Sequence, residues 1–198
     1  MAKPRPVRGI DPKGTLAANA RRILAVRIEE VHSYEAAIGD PANVTELHDM
    51  RIACKRLRYL LEIFDVAFKE DLEPFVEVVK DLQDLLGDIH DCDVQVPMLR
   101  EHLEWLEERE AEAVTGLAAA GTRAGGGPRT PAEVETAFDA FRAALEESRR
   151  GDERIGVHAL IALRERERVA LYARFLEMWR ELKHDRFRRR LEKVLGIR

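Results

Sequence analysis

Cysteines, aromatic residues and long apolar runs are all scarce in this chain of 198 residues. Its two cysteines, Cys54 and Cys92, have no CxxC spacing and no histidine at ligand spacing, which argues against a disulfide framework or a zinc site and favours buried thiols. Aromatic side chains make up 6% of the sequence, which leaves little to stack on bases, so nucleic acid is not the expected partner. No segment reaches the apolar length of a membrane span, and the N-terminus lacks the apolar core of a signal peptide. We therefore expect a cytoplasmic protein without a membrane partner.

The common catalytic motifs are missing as well. The sequence has no P-loop, no Gly-rich dinucleotide turn, no GxSxG and no nucleophilic Cys/His arrangement. Three His-Asp dipeptides, at 48–49, 90–91 and 184–185, leave open a metal-dependent phosphohydrolase, because helical enzymes of that class hold metal ions with His and Asp. Adjacent helical residues point about 100° apart, however, and do not converge on one ion. We expect no metal, no cofactor and no catalysis.

What the chain does contain favours helix. Charged residues make up 35% of the sequence, Ala, Leu, Glu and Arg dominate, and no segment shows strand alternation. We predict an all-α antiparallel bundle of long helices, of the four-helix type. After an extended lead-in at 1–14, a single helical domain at 15–198 is expected to hold helices over about 15–38, 43–66, 72–89, 98–120, 132–150 and 156–182, with a short one ending at Leu195. Pro97 is expected to break or kink the chain, and residues 120–131 form a Gly/Pro-rich loop.

A cationic ridge lies on the second predicted helix. His48, Arg51, Lys55 and Arg58 fall at i, i+3, i+7 and i+10, which places them on one helical face. The apolar stripe of the same helix lies one residue earlier, at positions 47, 50, 54, 57, 61 and 64. Like charges at this spacing repel one another, so either carboxylates of a neighbouring helix or an anionic ligand must compensate them.

Both sources of compensation are plausible from the residues alone. An acidic stripe on the third predicted helix could form a ladder of ion pairs with the ridge; it consists of Glu77, Asp81, Asp84, Asp88 and Asp91. A ligand is favoured by the mixture of His, Arg and Lys and by the segregation of charge along the chain. Residues 1–30 carry seven Lys/Arg against three acids, residues 62–113 four against seventeen, and residues 164–198 twelve against six.

A second group of residues runs from Leu86 to Val94 on the third predicted helix. Gly87 costs about 1 kcal/mol within a helix relative to Ala, which suggests a bend or a close helix approach. Asp91 and Asp93 are expected to orient neighbouring arginines, and a fixed guanidinium would also pre-organise an anion site.

These two segments resemble the signature of CHAD domains, the conserved histidine α-helical domains. Residues 44–58 match the pattern His-x-x-Arg followed by a basic pair and a further Arg on the same helix, through His48, Arg51, Lys55–Arg56 and Arg58. Residues 86–94 match Leu-Gly-x-x-Arg-Asp-x-Asp-Val, except that His90 stands where Arg is usual, which makes that position sensitive to pH. The resemblance is clearest over residues 15–110.

The resemblance implies a helical bundle that binds inorganic polyphosphate on a basic surface without catalysis. Carried over by residue, the surface would be lined by His48, Arg51, Lys55 and Arg58, with Arg56 as a further candidate and Arg21 and Arg22 added by position and charge. Asp91 and Asp93 would orient basic groups. A metal-dependent phosphohydrolase and a helical scaffold whose ridge is neutralised by the acidic stripe are the alternatives.

One departure from the family pattern concerns size. Family members commonly consist of two related four-helix halves, whereas this chain shows one copy of the signature, and Ile161 rather than Arg follows His158 by three residues. The chain is therefore expected to be a half-size or degenerate version of the two-bundle fold, for which a homodimer would restore a two-sided cleft.

Overall fold

The computed structural model describes residues 3–121 and 131–197, and within these ranges it contains five α-helices and no β-strand. The helices are α1 (Leu16–His32), α2 (Val44–Phe64), α3 (Glu73–Gly121), α4 (Pro131–His184) and α5 (Phe187–Leu195), and a single 3₁₀ turn, Asp65–Ala67, follows α2. The prediction of an all-α helical bundle is confirmed. No helix in the described part of the chain combines the length and the low charge needed to cross a bilayer.

The described residues cluster into two compact units. One unit is drawn from Met1–Asp93 and Glu167–Arg198, and the other from Val94–Arg166. The first unit therefore holds α1, α2, α5, the start of α3 and the end of α4. The second unit holds the remaining parts of the two long helices.

The core of the first unit is built from amphipathic stripes. Leu47, Met50, Cys54, Leu57 and Leu61 of α2 are all buried, as their spacing predicts, and they join one cluster with apolar side chains of the other four helices. Burial of such side chains stabilises each by about 1.5–3 kcal/mol. This stripe fixes the rotation of α2 and thereby decides which side chains stay at the surface.

The second unit is a pair of helical segments with a small core of its own. Leu106, Val157 and Ile161 are buried against one another, with Leu99 and Leu103 beside them. Ion pairs also join the two segments, including Arg100 to Glu165 at 2.5 Å and Arg154 to Glu110.

The end of α1 and the capping of α2 are the notable features of the first two helices. α1 begins after Thr15, whose Oγ1 accepts from the Ala18 amide as an N-cap, but it ends at His32 because consecutive turns occupy the residues up to Gly39. Asn43 is the N-cap of α2, yet it makes no side-chain cap hydrogen bond. Its Nδ2 instead donates to the Ala37 carbonyl at 2.8 Å.

The predicted break at 151–156 is wrong, because α4 continues through Gly151 and Gly156. Of the two expectations for Pro97, a break or a kink, the break is wrong, because α3 continues through this residue. Pro97 is exposed, so water can satisfy the carbonyl four residues earlier that loses its helical partner. The two glycines cost about 1 kcal/mol each, which the surrounding Ala, Leu, Arg and Glu residues offset. The predicted loop at 120–131 falls almost entirely on residues 122–130, which lie outside the described residues.

Candidate functional site

The ridge, His48, Arg51, Lys55 and Arg58, lies on the face of α2 next to α3. His48, Arg51 and Arg58 are half-buried and Lys55 is exposed. Because the apolar stripe of α2 is anchored in the core, the ridge one residue further on is held at the edge of the helix interface rather than free in solvent.

His48 and His90 form a contact between the two helices. Their Nδ1 atoms are 3.2 Å apart and their ring centroids 4.3 Å apart, with the ring planes inclined by 42°. Burial lowers the pKa of His48 below its ordinary value, and the nearby His90 and Arg51 lower it further, while Asp49 opposes them. The neutral imidazole can therefore donate or accept a hydrogen bond, and protonation would add a positive charge to the ridge.

Arg51 lies against Gly87 of α3. A methyl group placed on Gly87 would be 3.9 Å from Arg51 Cδ, an ordinary van der Waals distance. The contacts 48–90 and 51–87 together define an antiparallel register, since the residue number rises by three on one helix and falls by three on the other. The same register brings Lys55 level with Gln83 and Arg58 level with Lys80.

Several buried polar atoms on this face make no hydrogen bond with the described residues. Arg51 Nε, Arg58 Nε and Gln83 Oε1 are each inaccessible to solvent and make no hydrogen bond within residues 3–121 and 131–197. Arg58 Nε is 3.4 Å from Glu62 Oε1, close enough for an ion pair but without hydrogen-bond alignment. An unmade buried hydrogen bond costs about 1–3 kcal/mol, so this face of the helix pair is less stable than one whose polar atoms are all hydrogen-bonded.

The acidic stripe does not neutralise the ridge. All five of its residues are exposed, and in the described part of the chain no ion pair joins any of them to the ridge. Glu77 instead pairs with Lys80 on its own helix at 3.3 Å. Arg51 and Lys55 form no ion pair with any described residue, although Lys55 Nζ lies 5.9 Å from the centre of the Tyr59 ring. Arg58 lies over the same ring at 4.6 Å.

The structure does not bring Arg56 together with the ridge. Its Nη1 donates at 2.8 Å to Oε1 of Glu30, a carboxylate of α1 that is only 2% exposed. The second oxygen of Glu30 pairs with Arg27, which is also buried and whose Nη2 donates to the carbonyl of Arg5. Arg56 therefore fastens α2 to α1, and this binding candidate is better explained as a structural residue.

Arg21 and Arg22 also lie apart from the ridge, on α1. Arg21 Nε donates at 2.7 Å to the carbonyl of Leu195, one of the carbonyls that a helix leaves unpaired at its C-terminus. It lies close to Gly196, whose left-handed φ of 65° ends α5. Arg22 is exposed and donates to Asn19 Oδ1 at 3.1 Å. Neither contact points to a ligand.

The two orienting carboxylates differ from each other. Asp93 pairs with Arg168 Nε, and Arg168 Nη2 donates to the carbonyl of Pro41 at 2.8 Å, just before α2 begins. Asp93 therefore holds an arginine in place, as its type and position suggest. Asp91 is exposed and makes no such pair with a described residue. The sequence pattern did not single out Arg168 as the partner, since it is 75 residues away.

No group of three or more His, Cys, Asp or Glu side chains able to hold a metal ion occurs in the part of the chain that the structure describes.

Comparison with known proteins identifies a family. A family model described as the CHAD domain matches residues 2–100, which is half of the chain and includes α1, α2 and the part of α3 that faces the ridge. No curated protein and no solved structure matches the chain.

Proposed function

Because the chain belongs to the CHAD domain family, we propose that it binds inorganic polyphosphate, or a similar phosphate-rich polyanion, on the ridge of α2 and does so without catalysis. The observation that carries the proposal is the uncompensated charge of Arg51 and Lys55. Both lie on an ordered helix beside α3, and neither has an ion pair in the described structure.

The guanidinium of Arg51 supports the same conclusion. It is half-buried and forms no ion pair with a described residue, and phosphate oxygens are acceptors whose charge-assisted hydrogen bonds with guanidinium groups are strong and often bidentate. Lys55 is exposed and adds a mobile point charge beside it. The site needs no exact register along a polymer whose units are all alike.

Binding of this kind is driven by electrostatic attraction between the ridge and the polymer and by counterion release. Each internal phosphate of the polymer carries a negative charge, as in a nucleic-acid backbone, so neutralising it releases condensed cations. With three cationic contacts, from Arg51, Lys55 and Arg58, and with the coefficient for single strands of about 0.7 per contact, log K should fall with log salt with a slope of about −2. Between 50 and 200 mM salt the affinity should fall roughly 20-fold.

The experiment is a calorimetric titration of long-chain polyphosphate into the wild type and into Arg51→Glu/Lys55→Glu, each at 50 and 200 mM salt. The matched control is Lys69→Glu/Arg174→Glu, which makes the same charge change at two exposed positions that lie outside the ridge. The ridge variant should lose most of its affinity and its salt dependence, while the control variant should keep both.

Two outcomes would support other functions. Equal and salt-insensitive binding by the ridge variant and the wild type would exclude the ridge as the site and favour a helical scaffold. Release of orthophosphate that needs a divalent ion and disappears in Asp91→Ala would establish a phosphohydrolase.

A further inference from the structure

The first unit encloses a cavity that the ridge does not line. It has a volume of about 480 Å³, within the roughly 300–1,000 Å³ usual for small-molecule sites, and residues of all five helices surround it. No ridge residue is among them, so any ligand here would be separate from the polyanion proposed for α2.

The wall of the cavity is apolar. It is lined by buried or half-buried side chains that include Ile28, Leu57, Val79, Leu82, Leu182 and Phe187. Cys54 also faces it, and burial raises the pKa of this thiol to about 12, so the thiol is neutral and behaves as a small apolar group. Such a wall favours hydrocarbon and disfavours unpaired phosphate oxygens.

The rim of the cavity is cationic. Lys183 pairs with Glu35, and Arg188 is held by Glu29 and Glu192, so these two cations are compensated. Two further arginines on the rim, Arg186 and Arg189, are exposed and form no ion pair with any residue in the described ranges.

One wall residue presents an unused hydrogen-bond donor. Trp179 is 6% exposed, lines the cavity, and its Nε1 is buried without a hydrogen-bond partner in the described structure. A buried indole N–H usually finds an acceptor. The Trp179 ring also lies 5.2 Å from the ring of His32, which lines the cavity as well.

We propose that this cavity binds a single-chain amphiphile with an anionic head group, such as a fatty acid. The alkyl chain occupies the apolar wall, and the anionic head lies at the rim, near Arg186 and Arg189. Trp179 Nε1 supplies a donor within the site. A purely inorganic anion lacks the alkyl chain that the apolar wall favours. An uncharged alcohol lacks the anionic head group that the cationic rim favours.

The backbone of Arg186 allows its charge to be removed cleanly. Arg186 has a left-handed conformation, with φ 53° and ψ 39°, at the junction between α4 and α5. Glycine adopts this conformation without strain, so Arg186→Gly should remove the guanidinium and keep the turn. Arg189→Glu reverses the second charge at an exposed position, and Arg190→Glu makes the same change at an exposed neighbour that does not line the cavity.

The test is a fluorescence titration with dodecanoate below its micelle concentration. The chain has two tryptophans, and Trp105→Phe removes the one outside the cavity, so that Trp179 alone reports. We expect a saturable change in emission, a dissociation constant about threefold weaker in either single variant and about tenfold weaker in Arg186→Gly/Arg189→Glu, and no change in Arg190→Glu. Dodecanol should bind more weakly than dodecanoate, and tripolyphosphate should leave the emission unchanged.

Three results would overturn the proposal. They are no saturable change in Trp179 emission, equal affinity for dodecanol and dodecanoate, or equal affinity for dodecanoate in Arg186→Gly/Arg189→Glu and the wild type. Val78→Phe, which places a phenyl group at the wall, should abolish the response in a folded protein. Because the two sites share no residue, Arg51→Glu/Lys55→Glu should bind dodecanoate normally. The outcome is therefore independent of the function proposed for the ridge.

Discussion

Replacing Arg51 by methionine should stabilise the protein while weakening its binding to polyphosphate. Met has a flexible unbranched chain that can follow the path of the Arg51 stem along Gly87. The substitution removes the buried Nε donor that has no partner in the described structure, and it removes a charge that lowers the pKa of His48. Stability and binding should therefore change in opposite directions, as is common for residues kept for function.

The size of the stabilisation expected for Arg51→Met follows from the buried donor. An unsatisfied buried polar atom costs about 1–3 kcal/mol, and relief of one like-charge neighbour on the helix adds about 0.2–0.5 kcal/mol. Arg51 is half-buried rather than fully buried, so its other guanidinium nitrogens are partly hydrated in the folded protein. The substitution gives up this hydration, which reduces the stabilisation. We expect a net stabilisation of about 1 kcal/mol.

Arg56→Met is the matched opposite case on the same helix. Arg56 pairs with Glu30, whose carboxylate is 2% exposed and also holds the buried Arg27. Removing one partner of a buried ion pair destabilises by up to about 3–5 kcal/mol. Since Arg27 still compensates Glu30 and Arg56 is partly exposed, we expect a loss of about 1–3 kcal/mol and unchanged affinity for polyphosphate.

The assay is urea denaturation followed by Trp179 emission in a Trp105→Phe background, together with calorimetric titration of polyphosphate. The signal then reports the unit that contains α2. A destabilisation of more than about 1 kcal/mol by Arg51→Met would show that a protein group satisfies this guanidinium, which would refute the reasoning. Equal loss of binding in both variants would also refute it.

Three further predictions concern pH and packing. Because the fold lowers the pKa of His48, the contribution of this residue to stability should be lost as the pH falls below about 6.5, whereas polyphosphate binding should tighten over the same range as His48 gains charge; denaturation and titration at pH 7.5 and 5.5 would measure both. Tyr172→Phe should lower the free energy of unfolding by about 1–2 kcal/mol, because the Tyr172 hydroxyl donates at 2.8 Å to the buried carbonyl of Ile38; an unchanged urea midpoint would contradict this. Gly156→Ala should raise the stability of the second unit by about 1 kcal/mol, because a methyl group there meets no atom within 4 Å inside a helix; amide hydrogen exchange of residues 153–161 would detect the change.

The helical fold and the buried face of α2 could be predicted from the sequence because both follow from local spacing. The stripe from Leu47 to Leu61 is buried as predicted, since a 3.6-residue period needs no knowledge of the partner helix. A break at Gly151 and a break or kink at Pro97 were predicted from propensity, and both breaks are wrong because flanking residues with strong helix preference override one unfavourable residue.

The long-range pairs could not be predicted from one sequence. Arg56 and Lys55 are adjacent and both basic, but only the packing of α1 shows that Arg56 meets Glu30. The pairing of Asp93 with Arg168 depends on where α4 returns beside α3. The cavity and its rim depend on the turn at Arg186, which has a left-handed backbone. The sequence does not indicate this conformation, because glycine and asparagine are the residues that usually adopt it and arginine is not.

The most direct test of the ridge is a crystal structure of the protein with a short polyphosphate bound. The predicted result is phosphate oxygens within hydrogen-bond distance of the Arg51 guanidinium and of Lys55 Nζ, between α2 and the Gln83–His90 face of α3. A ligand bound only to the arginines of α5, with Arg51 and Lys55 unchanged, would contradict it.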